Sequence, residues 1–96
     1  MRPSEALAAH RTRILDIAAG CGARNLRVFG SVAKGLDTER SDLDLLVELA
    51  PGTSLLRIVG LQFDLAEALG VNVDLCTERE LHPDLRDRVL AEARPL

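Results

Sequence analysis

Two apolar stretches, LDLLVEL at residues 43–49 and VNVDLC at 71–76, enclose a helical pattern that Ser54 can cap and Gly70 can close. No other feature constrains the fold as much. A strand, a helix and a strand joined at this spacing are expected to lie as parallel neighbours in one sheet, linked by a right-handed crossover. The helix between them, Ser54 to Leu69, has a single polar stripe, Arg57, Asp64 and Glu67, so most of its circumference is expected to be covered.

The flanking segments extend this unit. Apolar residues recur at helical spacing from Leu7 through Ile14 and Ala18 to Cys21, predicting one amphipathic helix capped by Ser4 and stopped at Gly20 to Gly22. Leu26, Val28 and Phe29 predict a short strand ending at Gly30, and the polar stretch Lys34 to Ser41 predicts an exposed loop. Pro83 suits the first turn of a last helix whose Leu85, Val89 and Leu90 share a face. The expected architecture is α/β (α+β): about three strands in a small mixed sheet with helices packed on it, in the order α-β-α-β-α-β-α. With 96 residues and no repeat or linker, residues 1–96 read as a single domain around one core.

Composition narrows the function. Only Phe29 and Phe63 are aromatic and the formal charge is −3, which disfavours base stacking and tracking of a long phosphate backbone. The N-terminal segment is interrupted by Glu5, His10, Arg11, Arg13 and Asp16, so it lacks the apolar run of a signal peptide or membrane span, and a soluble cytoplasmic protein is expected. Cys21 and Cys76 have no zinc-site or redox spacing and read as reduced core thiols, while His10 and His82 read as surface or cap residues.

The chemistry concentrates in FGSVAKGLDTERSDLDLLVEL, residues 29–49. Side chains alternate along a strand, so Asp42 and Asp44 share a face while Leu43 and Leu45 enter the opposite layer. Close carboxylates repel unless they are solvated or share a cation, and a hard, oxygen-seeking ion such as Mg²⁺ suits them best. Asp74 occupies the same polar-between-apolar position on the next strand. Three such acids can hold two metal ions, the arrangement that supports in-line displacement at phosphorus. Gly30 and Ser31 offer backbone N–H groups and a hydroxyl where a strand ends and a helix begins, and Lys34 lies one turn on to neutralise phosphate charge.

Alone, Gly-Ser is a common turn and Asp-Leu-Asp a common solvated strand face. Together, at this spacing and with Asp74, they resemble the signature of the polymerase-beta-like nucleotidyltransferase superfamily. In so short a chain, FGSVAKG followed by SDLDLLVEL more closely resembles the minimal nucleotidyltransferase (MntA-like) antitoxins that pair with HEPN-domain toxins, a similarity running from about Arg27 to the last helix. The resemblance implies Mg²⁺-dependent transfer of AMP from ATP onto a tyrosine hydroxyl of a cognate HEPN ribonuclease, silencing it, and hence a hetero-oligomeric life. It implies that Gly30 and Ser31 hold the triphosphate, that Asp42 and Asp44 ligate metal, and that Asp74 ligates metal and helps deprotonate the acceptor. Lys34 stands where many members carry arginine, keeping the charge but losing the bidentate fork.

Two other readings compete. A non-catalytic antitoxin would neutralise its partner by contact through the apolar Ser54–Leu69 helix, but docking alone gives no reason to keep three mutually repelling acids around a Gly-Ser turn. Transfer onto a small molecule such as an aminoglycoside would need an additional acceptor-holding domain, for which the chain has no room. Glu48 shares the parity of Asp44 but lies farther from Gly30 and reads as a solvated rim residue.

Overall fold

A computed structural model describes residues 1–96. The chain runs α1 (Pro3–Ala9), α2 (Arg11–Gly20), β1 (Ala23–Phe29), α3 (Gly30–Ala33), β2 (Leu43–Leu49), α4 (Leu55–Leu69), β3 (Val73–Cys76), a 3-10 turn (Glu78–Glu80), α5 (Pro83–Glu92) and β4 (Arg94–Pro95). The four strands form one mixed sheet in the order β3-β2-β1-β4. β2 and β3 are parallel, as the α4 crossover requires, and β1 is antiparallel to both β2 and β4.

The sheet has one more strand than expected. β4 is only two residues long, with Pro95 unable to donate to a ladder, so it carries no periodic signal. It is recognised by its pairing with Arg27 and Val28 and by the Leu96 N–H donating to Leu26 O at 3.1 Å. β1 also begins earlier than its apolar residues suggest. A bulge shifts the register between Arg24 and Arg27, with Asn25 at φ +51°, so two exposed residues stand in a row and break the alternation. Asn is among the few side chains that adopt this backbone readily.

The first helix is two helices. Pro3 sits in the first turn, where its fixed φ is already helical, so α1 starts after Arg2 and Ser4 falls inside it. Glu5 accepts from the Arg2 N–H at 2.9 Å. The Ser4 N–H, one of the donors a helix start leaves free, is taken by Asp37 Oδ2 at 2.9 Å, from 33 residues away. His10 then leaves helical geometry (φ −122°, ψ 22°) while still accepting from the Ile14 N–H, and the bend lets Ala6, Ile14 and Ala18 all reach the core.

That core lies on one side of the sheet. Leu43, Leu45 and Val47 of β2 meet Ile58, Leu61, Leu65 and Leu69 of α4, with Val73 and Leu75 of β3 and Ile14 of α2. α4 is covered only on this face. Leu56, Val59 and Phe63 on its far side stay exposed, contrary to the expectation that most of its circumference would be buried. Gly70 closes α4 in the left-handed conformation, at φ +69°. No helix is long and apolar enough to cross a membrane.

Candidate active site

The face of the sheet opposite the core carries Asp44 and Asp74, while Asp42 lies just before β2 rather than in it. Asp44 is the second residue of β2, between Leu43 and Leu45, both fully buried on the other side. Its ladder partners are Phe29 on β1 and Asp74 on β3, so the two carboxylates stand on neighbouring strands at the same level. Register, set by apolar residues packing behind, therefore fixes the spacing of the acids in front.

Gly30 completes this geometry. It leaves β1 at φ +71°, a conformation that side chains disfavour, and a Cβ built there would strike Asp44 Oδ2 and lie 3.2 Å from Asp44 Cγ. The backbone that turns from β1 into α3 is thus laid directly against the carboxylate. α3 is a single short turn whose first N–H groups have no partner within the helix, and half-buried Ser31 follows Gly30 in it.

The acids differ in environment. Asp42 and Asp74 are exposed, whereas Asp44 is half-buried. Burial first, then the charges of Asp74 and Asp42, push the Asp44 carboxyl up to about 6. Cys76, on the same face two residues beyond Asp74, reports the same field: burial, then Asp74, Glu80 and Asp44, push its thiol up to about 11. It stays protonated, but on the acid face rather than in the expected core, against which only Cys21 packs; both cysteines are free and partly buried.

Asp42, Asp44 and Asp74 are the oxygen donors available to a cation. No three His, Cys, Asp or Glu side chains already converge into a cage. The donor set nevertheless suits a hard divalent ion, because the two carboxylates that raise the cost of ionising Asp44, those of Asp74 and Asp42, are relieved with it by positive charge among them. Lys34 is exposed, and its Nζ lies 3.4 Å from Glu92 Oε1 on α5, so it is already partnered.

Arg27 was not singled out in the sequence. It lies on the face of Phe29, two residues earlier on β1, opposite the fully buried Leu46. Its Nη1 meets Glu78 Oε1 at 3.2 Å, while its Nη2 is buried without a partner. Counting back by two from Phe29 would have placed it on this face, but its ion partner is 51 residues away and leaves no local signal. Glu48, farther along, accepts from Asn25 Nδ2 at 2.9 Å and lies 3.6 Å from Arg24 Nε, a rim role.

The fold that carries this site is also found among solved structures. One described as a "putative minimal nucleotidyltransferase" superposes with a TM-score of 0.86 at 49% identity, over 97% of this chain and 95% of that one. Residues 15–96 match the model of the nucleotidyltransferase domain, and the chain belongs to that family. It is 42% identical to the "putative protein adenylyltransferase MJ0435" of Methanocaldococcus jannaschii, over 86% of this chain and 89% of the relative. The protein adenylyltransferase MntA of Thermococcus cleftensis is 38% identical, over 74% of this chain and 72% of its own. A mutant form of the toxin-antitoxin MntA-HpeT superposes with a TM-score of 0.73 at 26% identity, over 90% of this chain and 70% of that one.

Proposed function

We propose that residues 1–96 act as a single minimal nucleotidyltransferase domain that moves AMP from ATP to a tyrosine hydroxyl of a HEPN-type ribonuclease toxin in the cytoplasm, silencing it. The observation that carries this reading is the Asp44–Asp74 register under Gly30, which sets two acids and a tight backbone turn at one spot. The protein adenylyltransferase relatives support the adenylyl group, and the toxin-antitoxin likeness supports the partner.

In this reading Asp42, Asp44 and Asp74 hold two Mg²⁺ ions. When bound, the ions offset phosphate charge and favour in-line displacement at phosphorus. The N–H groups around Gly30 and the Ser31 hydroxyl donate to the triphosphate, and Lys34, released from Glu92, adds charge near the departing pyrophosphate. The acceptor oxygen bonds to the α-phosphorus as the bond to the pyrophosphate oxygen breaks, and pyrophosphate leaves with that electron pair. The acceptor proton passes to Asp74, which is exposed and open to an incoming hydroxyl. The partner toxin supplies the acceptor, making the working species a hetero-oligomer.

Transfer of label from α-labelled ATP to the partner in Mg²⁺ tests the reading. The pair Asp42→Asn and Asp44→Asn is expected to abolish both transfer and neutralisation. Intact transfer and neutralisation in that variant would sink it. Neutralisation surviving without transfer would instead establish the second reading, contact alone, which the exposed apolar residues of α4 favour.

A further inference from the structure

The exposed side of α4 is organised beyond being apolar. Leu56 and Phe63 lie two turns apart on it, 81% and 68% exposed, with Val59 beside them. Arg57 and Asp64, also two turns apart and exposed, run along one flank of this stripe. Neither forms an ion pair within the chain. Leu56 and Arg57 lie four and three residues before Gly60, and Phe63 and Asp64 three and four after it, so the two pairs together bracket that glycine.

Gly60 has no use inside its own chain. It is in the helix interior, where glycine costs about 1 kcal/mol relative to alanine, and a Cβ there would meet nothing within 4 Å. A glycine that costs helix stability yet fills no tight spot is explained by a second backbone approaching from outside.

We propose that α4 is the seam of a homodimer, in which two copies pack their α4 helices antiparallel about a two-fold axis at Gly60. Antiparallel pairing brings Leu56 of one copy to within one residue's rise, about 1.5 Å, of the level of Phe63 of the other, and the symmetry repeats the contact. It also sets one flank against the same flank of the second helix. Arg57 of each copy then faces Asp64 of the other, giving two reciprocal ion pairs from residues that are otherwise unpaired. This self-complementarity of charge selects a second copy over an unrelated partner, for which a cation three residues before a central glycine and an anion four residues after it would have no meaning. The proposal is independent of the adenylyl-transfer reading, since the seam lies on the helix side of the sheet and the acids on the other.

Sedimentation equilibrium of the purified chain tests it. A concentration-dependent equilibrium between 10.4 kDa and twice that mass is expected. Arg57→Asp should weaken the dimer about five- to tenfold by setting like charges together, and Arg57→Asp with Asp64→Arg should recover affinity to within about twofold. Gly60→Leu should leave a folded monomer with a melting temperature no lower than the parent. Phe63→Glu should also give a monomer, and Gly60→Leu decides the matter if that variant does not fold. A single 10.4 kDa species at every concentration up to about 1 mM, a dimer indifferent to Gly60→Leu, or a double charge swap as weak as the single one would overturn the proposal. So would a chain that is monomeric alone and buries α4 only against a different protein.

Discussion

The carboxylate of Asp44 occupies the space in which a side chain at Gly30 would lie. The Gly-Ser turn and the central acid are therefore one structural unit, and neither can change without moving the other. Gly30→Ala is expected to destabilise the fold by about 1–3 kcal/mol, combining the strain of a positive φ with displacement of the carboxylate. Urea denaturation reads the stability. Adenylyl transfer should fall with it even at temperatures where the variant remains fully folded, and full activity in the folded variant would contradict this linkage.

Asp44 holds its proton more tightly in the folded chain, near 6, than at the ordinary value of 3.8. Below the lower value both states are protonated and the group has no effect on stability. As pH rises from about 4 to about 6 the unfolded chain releases this proton first, so stability falls across that window and stays lowered above it. Two pK units correspond to nearly 3 kcal/mol, and solvent screening of a half-exposed group reduces this to about 1–2 kcal/mol. Asp44→Asn should thus be more stable than the parent by that amount at pH 7 and equal to it near pH 3.5. Melting curves across pH 3.5 to about 7.5 check the sign.

Mg²⁺ should act where that cost is paid. Millimolar Mg²⁺ is expected to raise the melting temperature of the parent by a few degrees at pH 7.5 and by less at pH 5, where Asp44 is largely protonated. Removing the ion with a chelator should reverse the gain. A similar gain in Asp44→Asn would place the cation elsewhere on the molecule.

Asp37 is buried in an otherwise exposed loop and caps α1 through the Ser4 N–H, a contact that holds its carboxyl below the usual range. Because its folded value is lowered, the stability it supplies is present above about 4 and is lost as pH falls through its folded value. Asp37→Ala should cost about 1 kcal/mol at pH 7, the ordinary worth of a helix N-cap, and quicken amide exchange in α1 and in residues 34–41 together. Faster exchange in only one of the two segments would show that this bond does not couple them.

What could be read from sequence followed the physical regularity of each segment. β2 is an apolar run with acids at Asp44 and Glu48, and α4 is closed by Gly70, so strand bounds, parallel pairing and helix length are all visible. Ser54 does take the N-cap position of α4, although its side chain makes no capping bond. Irregular features were hidden. The bulge at Asn25 masked the start of β1, His10 breaks a helix with no Gly or Pro to announce it, and β4 is too short to have a period. At the site, parity put Asp44 on the face opposite Leu43 and Leu45, but the burial that separates Asp44 from Asp42 depends on neighbouring strands. The pairs Arg27–Glu78 and Lys34–Glu92 join distant segments and exist only once the chain has folded. The bare face of α4 was the one clear overestimate of burial.

β3 is the outer strand of the sheet on its side, only four residues long, and it places exposed Asp74 along that border. An open rim of unpaired amides is the usual seed of runaway stacking between molecules. Here the rim is too brief to template another strand, and each added layer would bring one negative charge against the next. Asp74, the acid assigned above to the site, by the same charge opposes stacking along this border.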